Sequence, residues 1–167
     1  MRRRTQGFTL LELLVVIVII GIITSFAVLS LGLISPQSEL EQHGQRLRAL
    51  MLLASEEAVL QGQELALQLD GQRYYFLILK DKTWLRINND PVLRDRELPE
   101  HVSASLRVEG EVFEFQTETE NRLTPRVYFF SSGEISPFNL SLSSRDAEYD
   151  YRINGNSQGV IKDVTNE

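Results

Sequence analysis

The chain contains no cysteine, which rules out disulfides and thiolate metal sites. Histidine is almost as scarce: the two present, His43 and His101, stand far apart in the sequence. Positive charge is in deficit, with 17 Lys and Arg against 23 Asp and Glu and a net charge of −6. Beyond Arg2–Arg4 there is no basic cluster of the kind nucleic acid or an anionic lipid surface selects, so neither is an expected partner. No Asp-x-Asp-x-Asp-Gly calcium loop and no Gly-x-Ser-x-Gly nucleophile turn occurs. The expectation is no metal, no cofactor, no small-molecule substrate, no catalytic residue and no enzyme activity. Internal repeats and low-complexity segments are absent too.

What the chain does have is concentrated at its start. Three arginines, Arg2–Arg4, precede Gly7-Phe8-Thr9-Leu10-Leu11-Glu12, and 22 residues without charge or proline follow, Leu13–Ile34. As a helix that run would measure roughly 33 Å, enough for a hydrocarbon core of about 30 Å. A cleavable secretory signal would carry a shorter apolar region and an Ala-x-Ala-like site after it, and neither fits. Arginines before the run and Glu39 and Glu41 after it predict a cytoplasmic N-terminus, with residues 36–167 on the far side of the membrane. Glu12 is the anomaly. A carboxylate costs about 2.5–3.5 kcal/mol at the centre of a membrane helix and less at its edge, so its presence calls for a role.

Gly7-Phe8-Thr9-Leu10-Leu11-Glu12 resembles the processing site of type IV pilins and of the pseudopilins of type II secretion. The match comprises a short basic leader ending in Gly7, then Phe8, then a glutamate at the fifth position after the cut. The resemblance implies that a membrane prepilin peptidase cuts between Gly7 and Phe8 and methylates the new amino group of Phe8. Removing Arg2–Arg4 would take the net charge from −6 to −9. The product would place an ammonium at a helix N-terminus, where the macrodipole favours a carboxylate instead. Phe8 and Glu12 are four residues apart and share a helical face. Glu12 can therefore neutralise the ammonium of its own or a neighbouring subunit. The attraction is roughly 4 kcal/mol at 4 Å and an effective dielectric of 20, before desolvation.

Past Ile34 the pattern changes. Ser35-Pro36 interrupts or restarts the helix, and Ser38-Glu39-Leu40-Glu41 has the form of a capping box. Leu40, Leu47, Leu50, Met51, Ala54 and Ala58 then make an apolar stripe, predicting an amphipathic helix to about Gln61 with Gly62 as its C-cap. From Leu65 the period becomes two. Short strands are expected at Leu65–Leu69, Tyr74–Leu79, Thr83–Ile87, Val102–Val108, Val112–Phe115, Val127–Phe130, Phe138–Leu142, Tyr149–Ile153 and Gly159–Ile161. Turns are expected at Asp70-Gly71, Lys80–Lys82 and Asn154-Gly155, with a loop over Asn88–Arg96. The acidic stretch Glu109–Glu120 reads as a solvated edge and loop.

The fold class is therefore α+β: a long N-terminal helix, first transmembrane and then amphipathic, kinked near Pro36, packed against two small antiparallel sheets. The expected division is 1–7 leader, 8–34 membrane helix, 35–62 amphipathic helix and 63–167 β-rich periplasmic domain. Phe129-Phe130-Ser131-Ser132-Gly133 before Phe138–Leu142 resembles the H-type minor pseudopilins, the GspH/FimT-like domain, in which the Phe packs and the Gly turns. That resemblance implies a minor subunit of an inner-membrane pseudopilus near its tip. It would link the minor pseudopilins I, J and K to a shaft of the major pseudopilin G for export of folded proteins. The competing expectation is a FimT/FimU-like minor pilin that primes type IV pili.

Overall fold

The computed structural model describes residues 10–30, 35–108, 111–114 and 126–164, and the side chains of all of these except 24–30 and 111–114. The chain divides into two units, Met1–Ile34 and Ser35–Glu167. The first holds helix α1, Leu10–Ser30. Its side chains from Leu10 to Ile23 are all exposed within that unit.

The second unit opens with helix α2, Pro36–Gln61. Its N-cap is Ser35, whose Oγ accepts the Ser38 backbone N–H at 3.1 Å, with Pro36 in the first turn where its missing N–H costs nothing. The capping-box reading at Ser38 is thus displaced by one turn: Ser38 is the donor and Ser35 the cap. The C-terminal expectation holds. Gly62 adopts φ 61°, ψ 34° and donates its N–H to the Ala58 and Val59 carbonyls. Leu40, Gly44, Leu47, Leu50, Met51, Ala54 and Ala58 form the buried face. Gly44 is there because of contact: a Cβ at this position would lie 2.0 Å from the Tyr151 ring.

Ten strands follow among the described residues: β1 Leu65–Asp70, β2 Arg73–Lys80, β3 Thr83–Arg86, β4 Arg96–Glu97, β5 Val102–Val108, β6 Glu111–Glu114, β7 Arg126–Phe129, β8 Phe138–Ser144, β9 Tyr151–Gly155 and β10 Ile161–Val164. They form two antiparallel sheets. One has the order β3-β2-β1-β7, with β4 also on β2; the other runs β10-β9-β8-β5-β6. Helix α2 meets β1 and β7 of the first and β8, β9 and β10 of the second, so one core fills the space beneath it. Leu47, Met51, Leu67, Phe76, Leu106, Phe129 and Leu140 are fully enclosed there.

Three sequence expectations need correction. Asn154-Gly155 is not a turn: both lie in β9, and Gly155 faces Phe138 across the ladder, where a Cβ would come within 2.1 Å of that ring. The turn falls one step later, where the Asn156 N–H bonds the Val160 carbonyl and the Gly159 N–H bonds the Asn156 carbonyl. The loop Asn88–Arg96 ends in strand β4, too short to show a period. Phe130, expected to pack, is 38% exposed, and its neighbour Phe129 fills the core instead. Of the acidic stretch, Glu111–Glu114 is strand β6 and the remainder lies outside the described residues.

Candidate functional site

Two regions carry candidate function, and each is built by a different local rule. The first is the N-terminal segment. Gly7 and Phe8 lie outside the described residues. Glu12 stands in the first turn of α1, the end of a helix that favours a carboxylate. Around it the helix is apolar on every side: Leu10 and Leu11, just before it, are 84% and 72% exposed, and Val15 to Ile20, after it, are exposed around the full circumference. An apolar surface of this kind is unfavourable in water and favourable against lipid or similar helices. Among the described residues no helix is long and apolar enough to cross a membrane. The backbone of α1 nevertheless runs for 21 residues, about 31 Å at 1.5 Å per residue.

The second region is the outward side of the β3-β2-β1-β7 sheet. Alternation predicts one wet face here, yet every residue of β1 from Leu65 to Leu69 is buried, Ala66 and Gln68 on the outward side included. Side chains reaching in from the two edges explain it. Trp84 on β3 and Tyr128 on β7 have ring centroids 5.5 Å apart, although their strands are three spacings, roughly 14 Å, apart. Both rings therefore lean inward across the two central strands, Tyr128 from the position beside Ala66 and Trp84 from the position beside Leu79. Phe130 stacks on Tyr128 at 6.3 Å.

Beside this roof runs one register row: Tyr75 on β2, Gln68 on β1 and Arg126 on β7. The Gln68 Nε2 donates to the Tyr75 hydroxyl at 2.6 Å, and its Oε1 accepts from the Arg126 Nε at 2.7 Å. The Arg126 guanidinium also lies 5.9 Å from the Trp84 ring. Arg86 stacks over Tyr75 at 3.8 Å, its charge answered by Asp95. Burial and then Asp70 push the Tyr75 hydroxyl above its ordinary range, against the pull of Arg86, Arg126 and the Gln68 bond.

The outward side of the other sheet differs in kind. There a shallow cleft of about 430 Å³ is lined by Ser105, Arg107, Asn139, Ser141, Asp150 and Arg152. Asp150 accepts from Ser141 and pairs loosely with Arg152, the pattern of a solvated strand face. His43 and His101, distant in sequence, come together near Glu39, which His101 approaches at 3.5 Å. Among the described residues no group of His, Asp and Glu is arranged to hold a metal ion.

Two family models match the chain. The prokaryotic N-terminal methylation motif covers residues 2–34, and the model described as type II transport protein GspH covers residues 43–159, well over half the chain. The chain belongs to the GspH family. Among its relatives, the type II secretion system protein H of Pseudomonas aeruginosa is 36% identical over 87% of this chain and 87% of that protein. The protein of the same name from Aeromonas hydrophila is 30% identical over 90% and 87%. The crystal structure of the minor pseudopilin EpsH from the type II secretion system of Vibrio cholerae superposes with a TM-score of 0.64. It is 27% identical and covers 78% of this chain and 96% of that one. The type IV minor pilin FimU of Pseudomonas aeruginosa shares the fold at a TM-score of 0.52 and 15% identity. The α+β pilin-like architecture is thus that of GspH-family proteins, which are structural pseudopilins.

The row Tyr75–Gln68–Arg126 was not found by reading the sequence. One signal for it was present: β2, β3 and β7 carry Tyr75, Leu77, Trp84 and Tyr128 at the positions that alternation assigns to solvent.

Proposed function

We propose that this chain is a minor pseudopilin of the type II secretion pseudopilus, located near the tip, where it joins the minor pseudopilins I, J and K to the shaft built from the major pseudopilin. Prepilin peptidase cuts between Gly7 and Phe8 and methylates Phe8. Residues 8–34 then anchor the protein in the inner membrane, with the N-terminus cytoplasmic and residues 36–167 periplasmic. The division into leader, membrane helix, amphipathic helix and β-rich domain follows the same reading. The observation that carries it is α1 itself: apolar on every side, with a single carboxylate, Glu12, in its first turn. An apolar cylinder can be held by lipid or by like helices, and a filament core supplies the second as the protein leaves the first. Glu12 and the methylated ammonium set the register of that transfer. No catalytic step by this chain is required.

The test is deletion of the gene with two readouts, exoprotein release and twitching motility. Loss of release with normal twitching is the expected result; unchanged release overturns the assignment. Glu12→Ala is expected to be cut and methylated normally yet to enter filaments poorly, and normal incorporation would refute the pairing. N-terminal sequencing should begin at Phe8; a mature chain that retains Met1 contradicts processing.

A further inference from the structure

We infer that the loop between β8 and β9 is a latch on helix α2, and that the helix end it holds, Pro36–Glu39, comes free while the core beneath stays closed. None of the residues from Pro36 to Glu39 is buried, and the first enclosed side chain of α2 is Leu40. Beyond its own N-cap, this end of the helix is held by polar contacts. The Gln37 Oε1 accepts the backbone N–H groups of Glu148 and Tyr149 at 3.1 and 3.3 Å. The Tyr149 hydroxyl donates to the Glu41 Oε1 at 2.9 Å, and the Gln37 Nε2 donates to the same oxygen at 3.2 Å. These bonds close a ring between loop and helix. His101 approaches Glu39 at 3.5 Å, a half-exposed contact that adds little.

The loop is longer than its connection requires. Six residues, Arg145–Asp150, separate β8 from β9, where two can close an antiparallel hairpin. The extra length reaches α2. The loop also has a footing of its own: the Ala147 N–H bonds the Ser144 carbonyl at 3.2 Å, and Ala147 packs against the core. It is therefore the fixed half of the latch, and the helix end is the moving half. Exposed hydrogen bonds contribute little singly because water replaces them, so a latch made of them opens easily, and opening it uncovers no core side chain. The four residues Pro36–Glu39 measure about 6 Å as helix and up to about 14 Å extended, so release adds about 8 Å of chain ahead of Leu40. A closed latch passes a pull on Ser35 directly to the β-rich unit; an open one first yields that slack. The inference concerns this unit alone, so its failure would leave the proposed role standing.

The test is residue-resolved amide hydrogen exchange on the full chain in detergent micelles. Protection at Glu39–Gln42, whose helical N–H groups bond the carbonyls of Ser35–Ser38, should be at least about tenfold lower than at Leu50–Leu53 of the same helix. Gln37→Met keeps the side chain's length and helix propensity but loses its acceptor and donor, and should lower that protection about tenfold further. Tyr149→Phe should lower it about threefold, and the double variant should do no more than Gln37→Met alone, because Gln37 holds Tyr149 in place. Glu57→Gln, which alters the like pair with Gln61 at the far end of α2, should leave it unchanged. Amides of Phe76, Leu106 and Leu140 in the core strands should not respond to any of these changes, which separates opening of the latch from loss of the fold. Protection at Glu39–Gln42 equal to that at Leu50–Leu53, no response to Gln37→Met or Tyr149→Phe, or equal acceleration in the core strands would each overturn the proposal.

Discussion

Helices α1 and α2 have similar lengths, 21 and 26 residues, and opposite designs. In α1 the apolar residues surround the axis, and none of the described side chains is buried. In α2 they keep to one stripe, and that stripe is sealed from solvent by two sheets. Each helix even carries a glycine that illustrates the contrast. A Cβ on Gly21 would meet nothing within 4 Å, whereas one on Gly44 would strike Tyr151. The lesson is that hydrophobic content alone does not say where a helix belongs; the angular distribution of that content does. The stripe makes α2 part of a fold, and the uniform coat leaves α1 to lipid or to other helices.

The comparison can be broken most readily at its buried end. Leu47→Ala removes a fully enclosed side chain and should cost about 3 kcal/mol of unfolding free energy. Leu11→Ala should leave the melting of the β-rich unit untouched; chemical denaturation of the two variants checks both. Next in size, Gly44→Ala must displace the Tyr151 ring and should cost roughly 1–3 kcal/mol despite its better helix propensity. Gly21→Ala should cost nothing. Equal losses at the two glycines would dissolve the contrast between the helices. Ser35→Ala strips the cap from α2 and should cost about 1 kcal/mol by the same measurement.

The smallest expected effect is one of pH. Burial, then Asp163, push the Tyr151 hydroxyl up to about 12, above its ordinary value of 10. The fold therefore favours the protonated phenol. That contribution is intact below pH 10 and fades as the pH rises from 10 through about 12. Melting temperatures across this window should fall less steeply in Tyr151→Phe than in the natural chain.

Much of this architecture was legible because it is local. The stripe from Leu40 to Ala58, the cap at Gly62 and the turns at Asp70-Gly71 and Lys80–Lys82 are each stated by neighbouring residues. The errors arose where a distant contact overrode a local signal. Gly155 looks like a turn residue, but its lack of a side chain serves the Phe138 ring across the ladder. Ser38 and Glu41 spell a cap, yet Ser35 beside Pro36 takes the place. In the N-terminal segment Gly7, Phe8 and Glu12 fall within six residues, so the methylation motif that the family model matches over residues 2–34 is legible in the sequence. The Tyr75–Gln68–Arg126 row could not, because its last member enters only when β7 pairs with β1.

The roof over the central strands has a practical consequence. Trp84 is the chain's single tryptophan, and it sits against Tyr128 and near Arg126. Its emission is therefore a label-free optical gauge of that one face. A blue shift or a change in quenching on mixing with a partner would register there and nowhere else in the molecule.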